Sequence, residues 1–181
     1  MPFDFRHHPA RLVRETLAAV CGFPYVVSTK IYRSTKDRPH FYMVYATKST
    51  AGLDAFRETE YGAVKAHARE RANAMDRKDE EETGTASFFT GMNADLKEAA
   101  VDDVIEANKN EAAEVLLDKL REAGGKLRFD ALWPVLLHGF MLRITDVKKI
   151  CAKLAKEGRI ESTWGAGNHK PKPHTIIKLK A

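Results

Sequence analysis

The chain has 181 residues, 44% hydrophobic and 30% charged, with a formal net charge of +5, a balance that belongs to a soluble globular protein and excludes the low-complexity and disordered classes. No apolar run approaches the ~20 residues that a membrane span requires. Residues 1–8 match neither a signal peptide nor a transit peptide, so the expected location is the cytoplasm, with no membrane partner. The charge is unevenly spread. Residues 126–181 hold twelve Lys and Arg against four Asp and Glu, a net of +8, whereas residues 1–125 net −3.

In chain order, Leu12, Val13, Leu17 and Val20 recur at helical spacing after Pro9, and Gly22 supplies a stop. Residues 23–32 and 41–47 are rich in aromatic and β-branched side chains, and the polar stretch 33–39 between them has turn formers; together they predict a β-hairpin. A helix over 51–77 follows Ser49 as cap, interrupted at Gly62. Residues 79–95 open with an acidic run and show no clear period, and read as a linker whose Phe88 and Phe89 dock on either side. A short helix over 93–108 is expected to turn Leu96, Val101, Val104 and Ile105 inward. A stronger one over 111–123 carries Val115, Leu116, Leu117 and Leu120 and ends at Gly124 and Gly125. Residues 126–129 suit a strand. Asp130 then caps a helix through Leu137 to Gly139, with Pro134 in its first turn. Thr145 caps a third helix with Val147, Ile150, Cys151 and Leu154 inward, ended by Gly158. Strand-like runs at 159–164 and 175–180 flank a Gly- and Lys-rich loop. Helix, strand, helix, helix, strand, loop, strand is the order of a winged helix-turn-helix.

The catalytic motifs are missing: no Gly-rich nucleotide fingerprint, phosphate-cradling loop, His-Glu-x-x-His or Cys-x-x-Cys occurs. Cys21 and Cys151 lie 130 residues apart at core-like positions and read as buried and structural. His7 and His8 read as a surface feature, and His138, Cys151, His169 and His174 have no metal-ligand spacing. Neither cofactor nor metal is expected. What remains is cationic. Lys148, Lys149, Lys153 and Lys156 fall opposite the apolar face of the third helix, Arg143 stands in the turn before it, and Asn168, His169, Lys170 and Lys172 lie in the loop. These nine residues are the candidate nucleic-acid contacts, with Asp146 on the same exposed face; they favour backbone phosphates over base edges. Trp164 is expected to close the base of the wing, and Trp133 to lie in the core.

The stretch Gly22-Phe23-Pro24-Tyr25-Val26-Val27-Ser28, a charged turn, then Phe41-Tyr42-Met43-Val44-Tyr45-Ala46-Thr47-Lys48-Ser49-Thr50-Ala51-Gly52-Leu53 resembles the C-terminal end of the methyltransferase-like domain of the three-Cys-motif partner protein (TcmP) family. A winged helix follows that domain in the family. The resemblance covers roughly residues 10–75 and, by order of elements, 110–180. It implies a Rossmann-like methyltransferase, S-adenosylmethionine and a radical-SAM-like partner with three cysteines. The Gly-rich turn, the acidic ribose-binding residue and the catalytic segment would precede Met1, so no cofactor residue transfers to a position here. The chain therefore reads as a truncated or split member without transferase activity of its own.

The expected fold is α+β: a truncated methyltransferase-like segment (helix, hairpin, helix) over 1–78, an acidic linker over 79–95 and a winged helix-turn-helix over 96–181. The expected function is non-enzymatic binding of DNA or RNA through the C-terminal part. Two alternatives stand beside it: an accessory subunit or remnant of a methyltransferase system whose winged helix holds a protein partner, and a fragment of a complete enzyme. A two-stranded hairpin apolar on both faces also leaves an edge, which predicts self-association or a partner subunit.

Overall fold

The computed structural model describes residues 10–85, 91–164 and 170–180. The fold is α+β. Its elements are α1 (Ala10–Cys21), β1 (Tyr25–Tyr32), β2 (Pro39–Thr47), α2 (Thr50–Thr83), α3 (Met92–Glu122), β3 (Lys126–Arg128), α4 (Phe129–Gly139), α5 (Ile144–Lys156), β4 (Ile160–Glu161) and β5 (Ile176–Leu179). The chain divides after Asp102 into two compact units, so α3 begins in the first and continues in the second.

In the N-terminal unit β1 and β2 form an antiparallel hairpin, Val27 opposite Tyr45 and Ile31 opposite Phe41, with an irregularity at Ile31 and Tyr32. One face meets α2: Thr29 donates to Glu60, and Tyr45 stacks on Phe56 with ring centroids 4.6 Å apart. Val26 and Val27 point to opposite faces and are both buried, so both faces are covered at that end. The α2 N-terminus is capped by Ser49, whose Oγ accepts from the Gly52 N–H at 3.0 Å. Gly52 is required there by space: a Cβ would stand 2.4 Å from Thr47 Oγ1.

Several boundaries differ from the sequence reading. The helix after the hairpin is not interrupted at Gly62 and does not yield to a linker at residue 79; it continues to Thr83, with Gly84 in the left-handed region as its cap. Glu80, Glu81 and Glu82 are good helix formers, and Lys78 pairs with Glu82 one turn on, so an exposed helix can extend there without an apolar stripe. Of the expected linker, residues 92–95 are helical and 86–90, with Phe88 and Phe89, lie outside the described residues. The helices expected at 93–108 and 111–123 are one, because Asn108, Lys109 and Asn110 are polar but include neither Gly nor Pro. Its inward stripe is Ala94, Ile105, Ala112, Leu116 and Leu120, while Leu96 and Val104 are exposed.

The α1 helix also departs from expectation. Ala10, Arg14 and Leu17 are its more covered positions, whereas Leu12 and Val20 are 72% and 78% exposed. Cys21 is exposed, not buried, whereas Cys151 is buried as expected.

The C-terminal unit comprises residues 103–122 of α3, then β3, α4, α5, β4 and β5. Its sheet is antiparallel in the order β3-β5-β4, with Leu127 opposite Ile177 and Ile160 opposite Leu179. Gly124 and Gly125, both at positive φ, let the chain leave α3 and enter β3; Gly125 N–H bonds the Leu120 carbonyl at 2.8 Å, and its own carbonyl accepts from Leu179. The core is Leu116, Leu120, Phe129, Leu132, Leu136, Leu137, Leu142, Val147, Ile150 and Leu154. Two capping assignments change. The α4 helix starts at Phe129, with Arg128 as N-cap and no side-chain cap bond, so Asp130 is inside it. Pro134 falls in its second turn, where the ring removes the N–H that would bond the Asp130 carbonyl. The next strand is shorter than the expected 159–164, spanning only Ile160–Glu161.

Candidate functional site

The surface marked by the sequence is built on α5. Val147, Ile150, Cys151 and Leu154 face the core, as their spacing requires. Burial pushes the Cys151 thiol up to about 12, which makes it an inert packing group. On the opposite side Lys149 and Lys156, two turns apart, share one exposed ridge. Lys153, also exposed, flanks the ridge and donates to Asn110 Oδ1 at 3.1 Å; Lys148 flanks its other margin and is half-buried.

The start of α5 is arranged differently from the sequence reading. Thr145 is not the cap; Arg143 occupies that position, and Asp146, three residues on, accepts from its backbone N–H at 3.2 Å. Asp146 is not presented on the surface: it is 0% exposed and holds the Arg143 guanidinium, Nε at 3.0 Å from Oδ2. Lys109 Nζ lies 3.7 Å from Asp146 Oδ1. Burial pushes the Asp146 carboxyl up, but the Arg143 side chain and N–H, with Lys109 behind them, outweigh it and leave it below its ordinary value. Arg143 is thus engaged within the fold, and its fork is not presented for bidentate base contacts.

Lys170 and Lys172, from the loop between β4 and β5, are exposed; Asn168 and His169 lie outside the described residues. The end of this loop is tied down. Thr175 Oγ1 accepts from the Lys172 N–H at 2.9 Å, Thr175 N–H bonds the Lys172 carbonyl, and the N–H groups of Phe129 and Asp130 bond the carbonyls of Thr175 and Pro173. Trp133 and Trp164 are half-buried, so neither is the closed core residue expected of Trp133.

The sequence reading passed over a second set of cations on the sheet. Lys126 stands directly opposite Lys178, both exposed, and Lys178 lies 3.8 Å from Glu161 on its other side. The signal was present in the period-2 alternation of Lys126 and Arg128 and of Lys178 and Lys180. Not every cation here is available. Arg128 is held by Asp130, and Arg159 by Glu114 at 2.6 and 2.9 Å, where the hydrogen bond from Arg159 holds the Glu114 carboxyl below its ordinary value.

Among the described residues no group of three or more His, Cys, Asp or Glu stands together as metal ligands, and no helix is long and apolar enough to cross a membrane. His7, His8 and His169 lie outside the described residues. No family model, curated protein or solved structure matches this chain.

Proposed function

We propose that the C-terminal unit is a winged helix-turn-helix and that the protein is a non-enzymatic, cytoplasmic nucleic-acid-binding protein that contacts duplex phosphates. The supporting observation is the ridge of Lys149 and Lys156 on the face of α5 turned away from the core, together with exposed Lys170 and Lys172 in the β4–β5 connection. The order of elements and the β3-β5-β4 sheet suit that reading. Lysines are compact point charges suited to phosphates, and Arg143, whose planar fork is best suited to bidentate guanine contact, is engaged by Asp146. Binding is therefore driven by counterion release and is weakly selective for sequence.

Titration of duplex DNA, duplex RNA and single strands across salt concentrations tests this. Affinity for a duplex should fall by about 0.9 log units per log unit of salt for each phosphate neutralised. Lys149→Glu with Lys156→Glu should abolish binding and leave the melting transition in place; affinity that survives the double change rejects the assignment.

A second reading, a protein-docking role for the N-terminal unit within a methyltransferase system related to the three-Cys-motif partner family, is supported by the exposure of Leu12, Val20, Phe41 and Met43. It requires a stable protein complex recovered by pull-down that Leu12→Glu with Val20→Glu disrupts.

A further inference from the structure

The N-terminal unit has a cationic end that its overall charge balance conceals: residues 1–102 hold fifteen Lys and Arg against fifteen Asp and Glu. Between residues 30 and 40 stand Lys30, Arg33, Lys36 and Arg38 with one acid, Asp37. The turn joining β1 to β2 encloses a crevice of about 240 Å³ lined by Tyr32, Arg33, Ser34, Thr35, Lys36 and His40. The turn is closed by the Arg33 N–H bonding the Arg38 carbonyl at 3.1 Å. It is pinned from α2 by Arg71, which donates through Nε to the Arg33 carbonyl at 2.8 Å and through Nη2 to the Lys36 carbonyl at 3.2 Å, and lies over the Tyr32 ring at 5.0 Å. The same Nη2 reaches Asp37 Oδ1 at 3.4 Å, so the turn's acid is already engaged.

The side chains of Arg33, Lys36 and Arg38 form no ion pair among the described residues. Most other arginines among the described residues are paired, Arg14 and Arg77 aside: Arg57, Arg69, Arg121, Arg128, Arg143 and Arg159 each hold a carboxylate. The crevice therefore gathers a guanidinium, an ammonium, an imidazole and three hydroxyls, without a carboxylate in its lining, on a turn whose conformation is set in advance by Arg71. Donor-rich groups around an unneutralised cavity complement the acceptor-only oxygens of a phosphate, and holding the turn in place reduces the ordering cost of binding.

We propose that this turn is a phosphate-binding site, separate from the α5 surface, in which Arg33 and Lys36 supply the charge and Ser34 and Thr35 the hydroxyl donors. The phosphate group comes either from a nucleic-acid backbone or from a small phosphorylated molecule.

The test follows backbone amide signals of residues 33–40 in the full chain as inorganic phosphate replaces chloride at constant ionic strength. Saturable shifts confined to the turn, lost in Arg33→Ala with Lys36→Ala while the melting transition is kept, are expected. Shifts that do not saturate, or that persist in the double variant, overturn the proposal. A second arm measures duplex binding by the same variant. A salt slope lowered by about 0.9 for each lost phosphate contact identifies the backbone as the source. An unchanged slope with the phosphate shifts intact in the parent protein identifies a small phosphorylated ligand. Lys149→Glu with Lys156→Glu leaves the phosphate shifts untouched, so failure of the α5 reading is distinguishable from failure of this one.

Discussion

Of the apolar side chains buried among the described residues, seventeen belong to the C-terminal unit and six to the N-terminal unit, although the latter is the longer. The C-terminal unit closes leucines from three helices over a small sheet. The N-terminal unit instead relies on polar contacts. Tyr61, Lys65 and Arg69 on α2 reach Asp102, Glu98 and Asp95 on α3, and Asn93 donates to Asp76 at 3.0 Å. Inside it, Glu60 accepts from both Thr29 and Arg57, all three buried. Exposed ion pairs contribute little, typically below ~1 kcal/mol each, while each buried leucine contributes ~2–5 kcal/mol against truncation to alanine. The two units should therefore differ in stability, and the N-terminal one should open first.

The aromatic residues make that difference measurable, since both tryptophans lie in the C-terminal unit and all five tyrosines in the N-terminal one. The largest effect is expected from Phe129→Ala, which empties a fully buried position and should cost the C-terminal unit ~3–5 kcal/mol. Urea unfolding followed by tryptophan fluorescence should shift, with the tyrosine-reported transition unmoved; a common shift would mean that the units unfold as one. Next is Glu60→Ala, which removes the carboxylate paired with the buried Arg57 guanidinium and should cost the N-terminal unit about 3 kcal/mol. Here tyrosine signals and far-UV circular dichroism should move while tryptophan fluorescence holds.

The smallest effect is expected from Asp146→Asn, which keeps the shape at the start of α5 but removes the charge, at about 2 kcal/mol near neutral pH. Because the folded carboxyl is held below its ordinary value, the stabilisation is fully present above the unfolded carboxyl range, ~3.9, and is lost as pH falls through the lower folded value. Unfolding free energies of parent and variant should therefore differ at neutral pH and converge in acid. A difference that stays constant with pH would show that Asp146 acts by shape alone.

The hairpin, the α4–α5 pair and the inward face of α5 were legible in the sequence because each rests on local signals: β-branched runs about a polar turn, and apolar residues at helical spacing before Gly158. Segments without such signals were misread. The acidic end of α2 has neither stripe nor breaker, and helix formation there depends on propensity and the Lys78–Glu82 pair. The cations around the hairpin turn are hidden in the net charge of residues 1–125, where acids distant from the turn bring the balance to −3.

Which side chains face water, and which charges are already neutralised, was decided only by tertiary packing. Leu12 is as apolar as Leu154, yet it is exposed because it lies on the side of α1 away from Ala10 and Leu17, the more covered face. Asp146 looks like a surface acid until the fold surrounds it with Arg143 and Lys109, while Arg33 and Lys36 form no ion pair with a carboxylate among the described residues. Local sequence sets backbone preference through interactions a few residues long. Burial and charge compensation depend on groups separated by tens of residues, such as Arg71 with Arg33 or Arg159 with Glu114, which only the folded chain brings together.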